Sequence, residues 1–208
     1  MGSGSSPREA QQVTSMTPTI IHYAKTSTPL GRHLWIAQSE QGVCWIDFRL
    51  SEPAFLARLA RRWPRARFVQ SDNALQKPIT ELNEYFAGQR KKFTFKLAPE
   101  GTAFQQKVWQ AVREIPFGQV ATYKEIAKKI KKPQAVRAVG HANASNPITL
   151  VIPCHRVIGS NGDLCGYGGG LDLKRKLLAF EGAELKKKIK RKMAKKIFVG
   201  LDVFGPTD

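Results

Sequence analysis

The chain changes character at Pro99-Glu100-Gly101, and this break limits its fold more than any other feature. Before it, short β-branched and aromatic runs alternate with turn residues; after it, apolar residues recur at three- and four-residue spacing. Residues 19–23, 33–38 and 43–48 are expected as strands, separated by turns at 29–31 and 40–42, which gives an antiparallel meander. Ser51-Glu52-Pro53 opens a helix, since Ser suits the cap and Pro the first turn. Phe55, Leu56, Leu59 and Trp63 share one of its faces, and Pro64 ends it. Ile79, Leu82, Tyr85 and Phe86 mark a second helix, and residues 93–97 alternate as a further strand.

Beyond the break, Thr102 caps a helix carrying Phe104, Val108, Trp109 and Val112, and Pro116-Phe117-Gly118 is a turn. A helix starting at Thr122 and another over 134–144 flank Lys132-Pro133, an arrangement that predicts a helix-turn-helix. Leu150-Val151-Ile152 is expected as a buried strand, and a last helix covers 173–180. Overall the fold class is α/β (α+β): an N-terminal domain of antiparallel strands over 19–98 and a mainly helical domain over 99–184. A leader over 1–18 precedes them and a basic tail over 185–208 follows.

The net charge of +18 favours a polyanionic partner, with nucleic acid foremost. The tail carries eight basic residues against two acidic, and residues 101–184 carry twelve against six, so the basic character belongs partly to the folded body. The tail's KKKIKRKMAKK suits DNA affinity, nuclear localisation or a solubilising end equally well. Lys107, Arg113, Lys124, Lys128, Lys129 and Lys131 are candidate phosphate contacts. Three cysteines, none in a CxxC pair, support neither a disulfide framework nor a zinc site, so no metal is expected. The first residues lack the apolar core of a signal peptide, and no run of about 18 apolar residues suggests a membrane span.

The sharpest chemical signal is Pro153-Cys154-His155-Arg156-Val157. A lone cysteine is usually core filler. This one has a His beside it that can take the thiol proton, directly or through a water, and a thiolate is a strong nucleophile. Glu181, acidic at the end of an apolar helix face, is a candidate to orient the imidazole, or else a surface carboxylate. The small-residue helix QAVRAVGHANA carries Ala135, Ala138 and Gly140 around a single long cation, Arg137. Such a helix suits close packing on a neighbour, or entry into the DNA minor groove with the guanidinium in the base stack.

From Gly101 to Glu184 the chain closely resembles the catalytic domain of O(6)-alkylguanine-DNA alkyltransferases, also called methylated-DNA–protein-cysteine methyltransferases. The matching blocks are GTAFQQKVWQAVREIPFGQVATYKEIA, QAVRAVGHANASNP, LVIPCHRVIGSNG and GYGGGLDLKRKLLAFEG, in the family's order and spacing. Residues 19–97 are similar more loosely to the family's ribonuclease H-like N-terminal domain.

The resemblance implies direct reversal of DNA damage: the alkyl group of O(6)-alkylguanine, and of O(4)-alkylthymine, passes once and irreversibly to Cys154. It implies that His155 and Glu181 form the activating relay, that Asn146 is a hinge, and that Tyr123 assists nucleotide rotation and protonates the leaving base. It implies that Arg137 fills the gap left by the flipped nucleotide. Tyr167 and Gly168 belong to the loop receiving the guanine, and the backbone at Cys154 and Val157 reads its exocyclic amine. Some relatives carry Ser where Gly168 stands, so here the backbone N–H serves alone. No cofactor is implied. The partner is double-stranded DNA bound through the minor groove by a monomer, with no membrane, in a prokaryotic cytoplasm or a eukaryotic nucleus. Three other classes fit parts of the pattern, one of them a plain helix-turn-helix regulator, which would need neither PCHR nor Glu181. A lesion binder of the same fold would lack the acceptor cysteine, and a Cys-His hydrolase would turn over many times and have no use for Arg137.

Overall fold

The computed structural model describes residues 18–48 and 50–183; the basic tail, and all of the leader but Pro18, lie outside them. Strands β1 (Ile20–Ser27), β2 (His33–Ser39) and β3 (Gly42–Asp47) form the expected antiparallel meander. Gly42, which begins β3, has φ +130°, and a Cβ there would lie 2.6 Å from the Lys96 carbonyl oxygen, so only glycine fits.

Helix α1 (Glu52–Arg62) returns the chain to β4 (Arg67–Gln70), which pairs parallel to β1 and completes a sheet of order β3-β2-β1-β4. The meander thus gains a parallel edge strand that the sequence did not predict. Its four residues, RFVQ, are only half-buried at most and bury no complete face. Residues 93–97, expected as a strand, form a single bridge between Leu97 and Val43. The backbone there bonds to the edge of β3, Val43 N–H to the Lys96 carbonyl at 2.9 Å and Ala98 N–H to the Val43 carbonyl at 2.8 Å.

The two faces of β2 follow the period of two. Trp35 and Ala37 point to α1, where Trp35 stacks on Phe55 with centroids 5.4 Å apart. Leu34 and Ile36 point the other way, into the main core, with Leu82 and Tyr85 of α2 (Gln76–Phe86). That core continues through Trp109, Val112, Val139 and Ile148 of the second half, so one apolar interior joins both halves.

In the second half, α3 (Ala103–Arg113) and α4 (Tyr123–Lys129) each begin with a capping box, Thr102 with Gln105 and Thr122 with Glu125. Helix α5 (Val136–Ala144) packs on both, and the Trp109 indole donates to the Ala142 carbonyl at 2.7 Å. The pair α4–α5 is the expected helix-turn-helix. A short 3₁₀ turn, Cys154–Arg156, leads into β6 (Val157–Ile158), which pairs with β5 (Ala121–Thr122), and α6 (Leu171–Phe180) closes the described chain.

Leu150-Val151-Ile152 is buried as expected but is a turn with one bridge, not a strand. Leu150 sits at φ +74°, an unfavourable conformation for a leucine. Asn146 holds the segment in place: its Nδ2 donates to the Ile152 carbonyl at 2.8 Å and its Oδ1 accepts from Ile148 N–H at 3.0 Å. The edge of β3 grips the same segment, with Ile46 N–H bonded to the Pro147 carbonyl at 2.8 Å. The first half of the chain therefore supports the approach to Cys154 directly.

Candidate active site

Cys154 lies at the base of a pocket enclosing about 410 Å³, solvent mouth included. Tyr123, Gly140, Asn143, Asn146, Tyr167 and Gly168 also line it. Five of the expected site residues thus converge with Cys154 from four different parts of the chain. Cys154 is buried, with 5% of the residue exposed. The pocket's loop is built tightly. A Cβ on Gly169 would lie 2.7 Å from the Leu173 side chain and 2.8 Å from the Tyr167 ring.

Next to Cys154 in the chain, His155 belongs to a buried polar cluster with Glu181. His155 Nε2 is 2.9 Å from Glu181 Oε1, and both side chains are inaccessible to solvent. A carboxylate can only accept, so Nε2 carries the proton and Nδ1 keeps its lone pair, with no partner among the described residues. Burial lowers the His155 pKa against the opposing pull of Glu181, which favours the neutral, basic ring. Glu181 behaves oppositely. Burial alone would raise its pKa, but the hydrogen bonds and charges of His155 and Arg156 bring it down to about 2.

Arg156, in the middle of PCHRV, is buried. Its Nε and Nη2 each lie 2.8 Å from a different Glu181 oxygen, and its Nη1 donates to the Ile115 carbonyl at 2.6 Å. Tyr85, from α2, donates its hydroxyl to Glu181 Oε1 at 2.6 Å. Neither was singled out from the sequence. The signal for Arg156 was available, since a cation inside the apolar run LVIPCHRVI must be paired when buried. Tyr85 gave none, because its spacing reads as helix core.

Two further residues were missed. Asn143 donates to the Cys154 carbonyl at 3.4 Å. Lys174 is wholly buried, with Nζ bonded to the Val157 carbonyl at 2.6 Å and to the Leu164 carbonyl. Burial lowers its pKa to about 8. One lone pair of the Val157 carbonyl, expected to read the guanine amine, is therefore taken by Lys174.

Tyr123 begins α4 beside the pocket; burial raises the pKa of its phenol, so it remains protonated and able to donate. Along α5 the small residues divide. Val139 and Ala142 face the core, whereas Arg137, Ala138 and His141 are exposed and Ala135 is half-buried at the cap. Gly140 stands 4.0 Å, by its virtual Cβ, from the Tyr123 ring, an ordinary contact. The inward face is thus close packing, while Arg137 is free of that packing one turn before the pocket. Among the candidate phosphate contacts, Lys129 is paired with Glu114 at 2.8 Å. Cys44 is a buried thiol with its pKa raised to about 12 by desolvation, which makes it inert.

A sheet domain followed by a helical domain, with Cys154 in a pocket and a buried His155–Glu181 pair beside it in the chain, defines the class. Residues 21–99 match the family described as 6-O-methylguanine DNA methyltransferase, ribonuclease-like domain, and residues 103–183 match its DNA binding domain. The chain belongs to the 6-O-methylguanine DNA methyltransferase family, the DNA repair enzymes that act as methylated-DNA–protein-cysteine methyltransferases. A methylated-DNA–protein-cysteine methyltransferase of Methanosarcina acetivorans is 44% identical over 163 residues, covering 78% of this chain and 99% of its own. The Haemophilus influenzae protein of that name is 42% identical over 166 residues, covering 78% and 87%. Among solved structures, Mycobacterium tuberculosis OGT in complex with DNA superposes with a TM-score of 0.67 at 36% identity, covering 81% of this chain and 97% of that one. No helix among the described residues is long and apolar enough to cross a membrane.

Proposed function

We propose that this chain repairs O(6)-alkylguanine in double-stranded DNA by taking the alkyl group onto Cys154, once per molecule. The observation that carries the reading is Cys154 at the base of the pocket, backed by the His155–Glu181 pair at 2.9 Å. The alkylated base is shielded in the duplex, so its nucleotide rotates out and enters the pocket, at a cost of a few kcal/mol. Arg137, exposed on α5, fills the vacated stack from the minor groove, with Ala135, Ala138 and Gly140 allowing the helix to approach closely. Tyr167 and Gly168 receive the base, and the backbone at Cys154 and Val157 reads its amine.

The Cys154 proton passes through a water to His155 Nδ1, and Glu181 stabilises the imidazolium through Nε2–H. The thiolate attacks the alkyl carbon, a C–S bond forms as the C–O bond breaks, and the electron pair leaves on the guanine. Tyr123 supplies a proton to the departing base and regains one as His155 returns to neutral. The sum is thiol plus alkylguanine giving thioether plus guanine, with no cofactor. Asn146 fixes the segment between α5 and Cys154 as a hinge. O(4)-alkylthymine is a second substrate of the same chemistry.

The acting unit is proposed to be a monomer. The domain division is proposed at 98/99, one residue inside the end of the region matched over 21–99, and the working compartment is a prokaryotic cytoplasm or a eukaryotic nucleus. The test is stoichiometry. With damaged duplex in large excess, repaired guanine should plateau at one per protein. Continued turnover would contradict the reading.

A further inference from the structure

We infer that Tyr85, from the ribonuclease-like domain, is a positioning residue of the alkyl-transfer relay: its hydroxyl completes the hydrogen-bond shell of Glu181. The inference rests on the relay proposed above and adds a member from the other domain. Glu181 Oε1 accepts three bonds, from Tyr85 at 2.6 Å, Arg156 at 2.8 Å and His155 at 2.9 Å. Oε2 accepts from Arg156 Nε at 2.8 Å and, at 3.5 Å, from Gly118 N–H. Every one of these donors but Tyr85 belongs to the second half of the chain.

The tyrosine is fully buried, and its ring is fixed from both halves. Phe86 and Phe93 pack against it at 5.2 and 5.4 Å, and Phe117 and Phe180 at 5.9 and 5.4 Å. A caged ring has one place for its hydroxyl. Burial raises the pKa of the phenol well above its usual value, so it acts as a donor throughout the working pH range.

The consequence is electrostatic as well as geometric. A carboxylate that also accepts from Tyr85 is partly neutralised and pulls less strongly on a proton at His155. Removing that donor strengthens the pull, so His155 is protonated at higher pH and is available as a base over a narrower range. It also leaves the Glu181 carboxylate one anchor short, so the imidazole loses part of its alignment.

The experiment uses the full chain and a duplex containing O(6)-methylguanine. Single-turnover methyl transfer is followed across pH for the wild type, Tyr85→Phe, Phe86→Leu and Cys154→Ala, with duplex affinity and melting temperature measured alongside. Tyr85→Phe should transfer about five- to tenfold more slowly at neutral pH, and its acidic limb should move up by roughly half a pH unit. Its duplex affinity should stay within about twofold. Phe86→Leu, which loosens the cage but keeps the hydroxyl, should lower the melting temperature and leave the acidic limb where it was. The inference is overturned if Tyr85→Phe keeps the wild-type rate and limb. It is equally overturned if Tyr85→Phe loses rate only in step with its melting temperature, like Phe86→Leu. Methylation of Cys154→Ala would instead sink the relay reading itself.

Discussion

Arg156 grips both oxygens of Glu181, Nε on one and Nη2 on the other at 2.8 Å each, where solvent reaches neither carboxylate oxygen. This fork aligns the carboxylate so that it faces His155. Arginine's planar geometry is what makes it possible, and a lysine could reach only one oxygen. Arg156→Met should destabilise the protein by about 3–5 kcal/mol, since it leaves a buried charge unpaired. Chemical denaturation monitored by tryptophan fluorescence would measure the loss, and a value under about 1 kcal/mol would show that the fork contributes little.

The low pKa of Glu181 also sets an acid limit. Its folded value of about 2 lies below its ordinary 4.5, so the unfolded chain binds a proton more readily between these values. Stability from this group is therefore fully present above about pH 4.5 and is lost as pH falls towards 2. The contribution is on the order of 3 kcal/mol. Denaturation midpoints between pH 3 and 6 should fall with acid more steeply for the wild type than for Glu181→Gln. Parallel curves would contradict the assignment.

Asn146 holds Leu150 in an unfavourable conformation by bonding on both sides of it. Asn146→Ala should cost roughly 1–3 kcal/mol, because it leaves the Ile148 N–H without its acceptor and takes from the Ile152 carbonyl one of its two donors, the other being Cys154 N–H at 2.8 Å. It should also slow methyl transfer, because the turn positioning Cys154 relaxes. Thermal melts together with single-turnover rates would test this, and a stable, fully active variant would remove Asn146 from its hinge role.

Much of this architecture was legible in the sequence, and its gaps have physical causes. Turn-bounded β-rich runs gave β1–β3, caps gave α3 and α4, and apolar spacing with Pro53 gave α1, where Ser51 makes no side-chain cap bond, because those signals are local. The strand β4 escaped because its four residues are ordered by pairing with β1, a partner more than 40 positions away. Residues 93–97 alternate like a strand, yet only Leu97 finds a ladder partner, on the edge of β3. Tyr123, Gly140, Asn146, Cys154, Tyr167 and Gly168 of the pocket were found from the sequence, whereas Asn143 was not. Tyr85 and Lys174 were not, because a buried tyrosine or lysine in a helix differs from core only through contacts made in three dimensions.

Arg137 offers a clean separation of folding from action, since it is exposed and forms part of no core. Arg137→Ala should leave stability within about 0.5 kcal/mol. Transfer from duplex DNA should fall roughly 10- to 100-fold, as the cost of flipping is no longer offset, while transfer from a single strand should change little. Equal losses on both substrates would argue against a role in the base stack.

The central claim is that the buried Cys154, and not the more exposed Cys165 eleven residues on, receives the alkyl group. Peptide mass mapping after one round of reaction with an O(6)-methylguanine duplex tests it most directly. The account predicts a single methyl group on the peptide bearing Cys154, with Cys44 and Cys165 unmodified. A methyl group on Cys165, or tight duplex binding with no methyl group on any cysteine, would contradict it.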